Sequence, residues 1–559
     1  MDKKKRLITM VVTLLVLTIG VTFAYFMART GEGKQAGTTI TTGTVDDLKF
    51  NVSKENLSLN INQFNFASGA GNLTDNVTAT ASLKANSTKN TATYNYYVYF
   101  QIESNDYVYT TTDKKPEIVL SITGPNGEIT SVDGLTYVSA TNADGTVVKG
   151  FDITESKQSL IKIADSFEIS SSSSTNYTNQ EWNFKVTFIN LDTNQADNQN
   201  KNLTGKVLIQ QEKILSLAEY VVSQYTGTQG ENGIYYHDAS LTNGAGDNSY
   251  RYAGASEAVN NYVCFGSSTT PCPADNLYRI VGVFGDKVKL IKSDYATSAL
   301  LGADGDYSKM YTANTGWYNS NYKGNNLANV AAYNWNKSNQ NTWSLSNLNK
   351  INLNKNFITN IGADWAAKID TTTWKVGGNT WANIGEQPAK TAYQNEIVNP
   401  VTTNSQDNKT EYSAKIGLMY ASDYGFAAAP SAWTTQLISY NGEAIKNVNW
   451  MYMGLYEWTI SRTAGHSNYA FYVHSTGSVG YNSVGSNAFG VRPVFYLTSS
   501  VNYVSGSGTA ADPIRINWLT DSFNKTLIKP RKKRQKSTTN IVRFYLFLST
   551  IKHHICFKI

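Results

Sequence analysis

The stretch "YNYYVYFQI", residues 94–102, constrains the chain most. On an extended backbone Tyr94, Tyr96, Val98 and Phe100 fall on one side, and Asn95, Tyr97, Tyr99 and Gln101 on the other. Successive strand residues point to opposite faces, so this pattern calls for a sheet with one face on a core. Seven more runs between residues 40 and 211 share the β-branched or aromatic content: 49–53, 57–66, 77–86, 117–124, 160–169, 181–191 and 206–211. Turns such as "GPNGE" and "NADGT" separate them. About eight strands at this spacing predict an antiparallel β-sandwich.

Upstream, Leu7 to Ala28 is an uncharged, mostly apolar run between Arg6 and Arg29, preceded by Lys3, Lys4 and Lys5. It is long enough to span a bilayer with the basic end in the cytoplasm, or to serve as a secretory signal cleaved near Ala24 or Ala28. Either reading exports everything beyond about residue 30 and gives the chain a membrane contact through residues 7–28. The expected location is the cell membrane facing outward, or the extracellular medium.

The formal charge of +6 belongs to the ends of the chain. Fourteen of the 48 Lys and Arg residues lie in 3–6 and 525–559, leaving 34 against 41 acids once Asp2 is set aside. A body of that sign is unsuited to nucleic acid, whose binding rests on phosphate neutralisation. Only 16% of residues are charged, against roughly 25% in typical soluble proteins. Asn, Ser, Thr and 36 tyrosines replace them, which reads as a neutral, hydrogen-bonding, aromatic surface.

Cys264 and Cys272 enclose the short polar loop "FGSSTTP". In an exported chain this pair reads as a disulfide, worth about 2 kcal/mol because so short a loop loses little entropy on closure. No second Cys/His pair at zinc spacing accompanies it, and Cys556 lies apart in the tail.

Residues 212–225 switch to helical period, with Ile214, Leu217, Ala218, Val221 and Val222 in one stripe. A domain boundary is placed there. Residues 343–369 offer a second helical region among short strands and Gly-, Asn- and Trp-rich loops. The expected organisation is a signal or anchor over 1–29, a β-sandwich over 30–212, an α+β module over 213–516, and a basic, disordered tail over 517–559.

Two resemblances sharpen this. "TTITTGTVDDLKFNVS" after "GVTFAYF" resembles the export region of bacterial camelysin/TasA-type proteins. That implies a Gram-positive surface protein with a sandwich able to polymerise, and no chemistry. "GENGIYYHD", "DNSYRYAGA", "NNYVCFGS", "DNLYRIVGVF", "YEWTISR" and "FGVRPVFYL" resemble an uncharacterised family of bacterial surface proteins. Its C-terminal part is similar to the C-type-lectin-like fold of formylglycine-generating-enzyme-type domains. The Trp458/Arg462 block and Gly490–Leu497 carry that likeness. Catalytic members use a late cysteine pair, and here no cysteine lies between Cys272 and Cys556, so the activity does not transfer.

Catalytic signatures are absent: there is no GxSxG, HExxH, GxxxxGK[ST] or strand-borne GxGxxG. "DTNQADNQN" (Asp192, Asn194, Asp197) and "GADGDYS" (302–308) offer oxygens at calcium-like spacing without the EF-hand glycine or terminal glutamate. Asx turns explain them as well. Nine of the eleven tryptophans fall in the second module, as core or as sugar-stacking rings. Arg462 and Arg492 are ligand anchors, or structural clamps on carbonyls or on an acid such as Glu457. His466 and His474 are too far apart along one strand to share a metal.

The expected function is surface binding or adhesion, to a glycan or a protein, without catalysis or a cofactor beyond calcium. Alternatives are a fibre subunit polymerising through the sandwich, or an unrecognised enzyme on the second module.

Overall fold

A computed structural model describes residues 46–517, apart from 63–72, 87–90, 157–158, 312–321, 325–329, 381–383 and 401–408. The Leu7–Ala28 segment and the basic tail therefore lie outside the described residues. Among the described residues no helix is long and apolar enough to cross a membrane. Strand accounts for 40% and helix for 16% of the described residues, which are mainly β.

The first eleven strands are β1 (Asp47–Val52), β2 (Leu57–Asn60), β3 (Thr74–Lys84), β4 (Ala92–Asn105), β5 (Ile118–Gly124), β6 (Gly127–Glu128), β7 (Thr136–Thr141), β8 (Val147–Asp152), β9 (Ser159–Ser171), β10 (Thr178–Phe188) and β11 (Asn202–Gln210). One sheet runs β1-β3-β10-β5-β8-β7 with β6 on β5, and a second runs β2-β11-β4-β9. Alternate residues of both close on one core. Val77, Ala79, Ala81 and Leu83 of β3 meet Tyr96, Val98, Phe100 and Ile102 of β4 in that cluster. Phe100 stacks on Phe184 at 5.9 Å, and Trp182 Nε1 donates to Tyr96 Oη at 2.9 Å. The outer face of β4 is also partly covered: Tyr99 is buried, and its hydroxyl accepts the Ile214 N–H at 2.9 Å.

β9 stands at the end of its sheet. Its pairing with β4 slips twice, Ser166 takes φ 54°, and Lys162, Asp165 and Glu168 are exposed along it. Bulges and charges of this kind oppose the addition of a further strand.

A seven-residue helix, α1 (Leu217–Ser223), follows, opened by a capping box in which Ser216 accepts from Glu219 N and Glu219 reaches back to Ser216 N. The strands beyond are β12 (Ile234–His237), β13 (Ser249–Tyr252), β14 (Tyr262–Cys264), β15 (Leu277–Phe284), β16 (Lys287–Lys292), β17 (Tyr307–Tyr311), β18 (Val330–Asn334), β19 (Thr372–Lys375) and β20 (Gly378–Asn379). After them come β21 (Glu411–Ala414), β22 (Ile416–Gly417), β23 (Glu457–Thr463), β24 (Tyr469–Val473), β25 (Val479–Ser483), β26 (Ala488–Phe489), β27 (Val494–Tyr496), β28 (Asn502–Ser505) and β29 (Ile514–Asn517). The main sheet runs β22-β27-β16-β15-β14-β29-β28, with β13 joined to β15 and β12 to β13. A smaller one runs β20-β23-β24-β25. Their core, from Leu217 to Ile516, shares no residue with the sandwich core.

The helical region over 343–369 is present but is largely a π-helix, Leu348–Phe357. Asparagine side chains account for its placement. Asn352 donates to Leu301 O, and Asn354 both donates to Ile416 O and accepts Ile416 N–H, pairing with β22 as a strand would. Many of the asparagines read as surface, among them Asn105, Asn261, Asn341, Asn349 and Asn352, are buried connectors of this kind.

Entry to and exit from this half of the chain lie together. Ser216 bridges to Asn502, and Asn502 pairs on its other side with Asn517. Leu217 N donates to Val501 O, Tyr503 N donates to Leu215 O, and Tyr220 stacks on Tyr503 at 3.6 Å.

Candidate functional site

β23 and β24 form an antiparallel pair, with Trp458 opposite Tyr472 and Arg462 opposite Ala470. His466 sits in the turn between them, and its carbonyl accepts from Thr463 Oγ1 and Asn341 Nδ2, each at 2.8 Å. His474 lies past the far end of β24. Its Nδ1 accepts the Thr476 N–H at 3.0 Å and the Thr476 hydroxyl at 2.9 Å, while Nε2 meets the Tyr456 hydroxyl. The strand separates the two imidazoles.

The three singled-out side chains are all buried. Trp458 donates to Tyr333 O at 2.8 Å and lies 4.4 Å from Phe489. Arg462 donates to Val376 O at 2.8 Å and Lys409 O at 3.3 Å. Arg492 grips both oxygens of Glu457, at 2.7 and 2.8 Å, and donates to Met451 O. Burial alone would lower the Arg492 pKa, and the Glu457 carboxylate more than reverses this. Cys264 and Cys272 are joined in a disulfide with Cα atoms 5.9 Å apart.

A second buried cluster was not apparent in the sequence. Lys289 Nζ on β16 lies 2.5 Å from Oδ2 of Asp423, which sits in a short helix, α2 (Ala421–Phe426), and also accepts the Tyr420 N–H at 3.0 Å. Arg251 Nη1 stands 3.8 Å from Asp423 Oδ1, and its Nη2 donates to Asp247 Oδ2 at 2.6 Å. At the start of α2, Glu396 accepts from Ala421 N at 3.0 Å, Ser422 N at 2.9 Å and the Ser461 hydroxyl. Burial pushes the Glu396 carboxyl up. His237 is buried against Phe426 and Trp433, its Nδ1 accepting the Ala245 N–H at 3.1 Å; burial first, then Arg251, holds its pKa well below the usual value. These residues come from segments far apart in the chain. The one local signal was a lysine at an inward position of the apolar run "KVKLIK".

Of the calcium-like oxygens, those of Asn194 and Asp306 are engaged by protein donors. Asn194 Oδ1 accepts Ala196 N–H, and Asp306 accepts the N–H groups of Lys337 and Leu348 on its two oxygens. Among the described residues no three His, Cys, Asp or Glu side chains gather as a metal site. Trp335, Trp343, Trp374, Trp433, Trp450 and Trp458 are core, Trp365 is half-buried, and Trp317 and Trp381 lie outside the described residues. Tryptophan therefore supplies little of the exposed aromatic surface described here.

Tyrosine supplies more. His466 lies edge-on to Tyr469 at 5.2 Å, and Tyr469 lies 5.5 Å from Tyr481, which is 39% exposed on β25 at the end of its sheet. Beside this strip Ser483 donates to Asn339 Oδ1 and Asn487 donates to Asn482 Oδ1. Neither 464–470 nor 479–488 contains Lys, Arg, Asp or Glu. No family model, curated protein or solved structure matches the chain.

Proposed function

We propose that the chain is an exported, cell-surface binding protein that engages a neutral glycan or a protein loop and performs no catalysis. The carrying observation is the His466–Tyr469–Tyr481 strip, a row of three rings at successive spacings of 5.2 and 5.5 Å. Aromatic faces flanked by amides and hydroxyls suit partners with an apolar side and neutral hydrogen-bonding groups. The buried carboxylates Asp423, Glu457 and Glu396 are taken up by lysine, arginine, backbone and serine donors, which favours binding over acid–base chemistry. The finer architecture belongs to the same reading: a camelysin/TasA-like sandwich following the membrane segment and a C-type-lectin-like module beyond it.

The test is a screen of the full chain against a glycan array and immobilised matrix proteins. A specific partner is expected, with Tyr469→Ala/Tyr481→Ala weakening it about tenfold or more, as loss of an aromatic anchor does. Absence of any specific partner, or unchanged affinity of the double variant, overturns the proposal.

A further inference from the structure

The Lys289–Asp423 contact differs from the other lysine–carboxylate pairs of the described residues. Lys289 and Asp423 are 1% and 3% exposed, whereas Lys206–Glu103 and Lys446–Glu443 each leave one side chain at 15% or more. Four rings enclose the ammonium: Tyr420, Tyr496, Phe284 and Trp374, with centroids 4.8, 5.5, 5.6 and 5.8 Å from Nζ. Water has little access to such a box, and an amine and a carboxyl group are held in it at 2.5 Å.

From this geometry we propose that Lys289 and Asp423 condense in the folded chain to an intramolecular amide. A proton passes from Nζ to Oδ2, and the freed lone pair attacks Cγ. Negative charge collects on Oδ1, on the side that Arg251 Nη1 faces at 3.8 Å. The tetrahedral centre then collapses: the Cγ–Oδ2 bond breaks, Oδ2 takes a second proton from nitrogen, and water leaves. Ammonium and carboxylate become amide and water, with no change of oxidation state and no co-reactant.

Two physical terms favour the product. Fixed contact raises the effective concentration of the reacting groups to as much as about 10⁵–10⁸ M, against which bulk water is a weak competitor. Condensation also removes one cation and one anion together from a low-dielectric site, where each is costly to hold. Of the neighbouring charges, Arg251 keeps Asp247 as its partner at 2.6 Å, while the Tyr420 N–H gives up its acceptor Oδ2. Glu396, at the start of the same helix, is already met by the N–H groups of Ala421 and Ser422 and by the Ser461 hydroxyl.

Peptide mapping of the purified, denatured full chain tests this without any variant. The expected result is a branched peptide joining the segments of Lys289 and Asp423, about 18 Da lighter than the two linear peptides together, the mass of one water. A Lys289→Arg chain, which keeps the cation but cannot form this link, should give only linear peptides. Recovery of both linear peptides at full mass from the native chain, with no branched species, overturns the proposal. So does a branched species that persists in Lys289→Arg.

Discussion

At the scale of single residues, polar side chains do work that composition assigns to the surface. Asn341 Nδ2 reaches the carbonyls of Thr463, His466 and Tyr469 and so closes the turn that carries His466. Composition records how many asparagines a chain has, not whether each faces water. The clamps at Arg462 and Arg492 sit in sequence blocks that could be quoted, yet their partners Val376 and Lys409, and Met451, are named only by the fold. Histidine gives the pH dependence. Both His237 and His474 are held below the ordinary imidazole value by burial, and each accepts a backbone N–H on Nδ1, a role open only to the neutral ring. At these two sites the unfolded chain therefore binds more protons than the folded one below about pH 6.5, so their contribution to stability is level above that pH and is lost as pH drops through it. Denaturant midpoints between pH 7.5 and about 5 should decline, and His237→Gln, which retains an acceptor, should flatten the decline. An unchanged slope in that variant would assign the effect elsewhere.

At the scale of elements, legibility followed exposure. Several of the eight sandwich strands expected from the sequence bury one face and so alternate, β2, β3 and β11 most plainly. β6, β7 and β8 escaped notice because β6 has two residues and β7 is mostly exposed or half-buried, leaving little pattern to read. The helical period over 343–369 was legible, but the π-helical widening was not. It comes with side-chain amides that seek carbonyls outside the helix. Asn354 is the sharpest instance, since it satisfies both backbone groups of Ile416 at a sheet edge. Asn354→Leu should cost about 1–3 kcal/mol by leaving those groups unpaired, read as a lower denaturant midpoint at unchanged slope. Asn354→Asp, which loses the donor but keeps an acceptor, should fall between the two.

At the scale of the whole molecule, the disulfide is the feature that sequence and structure share most directly. It closes a loop with a sequence separation of eight at the end of β14, the strand that pairs in parallel with the start of β29, the last strand of the described residues. Cys264→Ser/Cys272→Ser should lower stability by roughly 2 kcal/mol, and dithiothreitol should reproduce that loss in the native chain but not in the variant. The charge clusters stayed hidden at this scale because Arg251, Lys289, Glu396 and Asp423 converge from separate segments, and no local spacing encodes that meeting.

The bridging of Asn502 to Ser216 on one side and Asn517 on the other has a mechanical consequence. Both pairings are antiparallel, so the incoming and outgoing segments run in the same direction, about 10 Å apart at two strand spacings. Opposite pulls on the two ends then load the bonds at Leu217–Val501 and Tyr503–Leu215 in shear, together, instead of peeling them one by one. Everything between α1 and β28, including the tyrosine strip, stays outside the line of force until that clasp parts. Under traction the tyrosine strip would stay undistorted for as long as three short segments keep their grip.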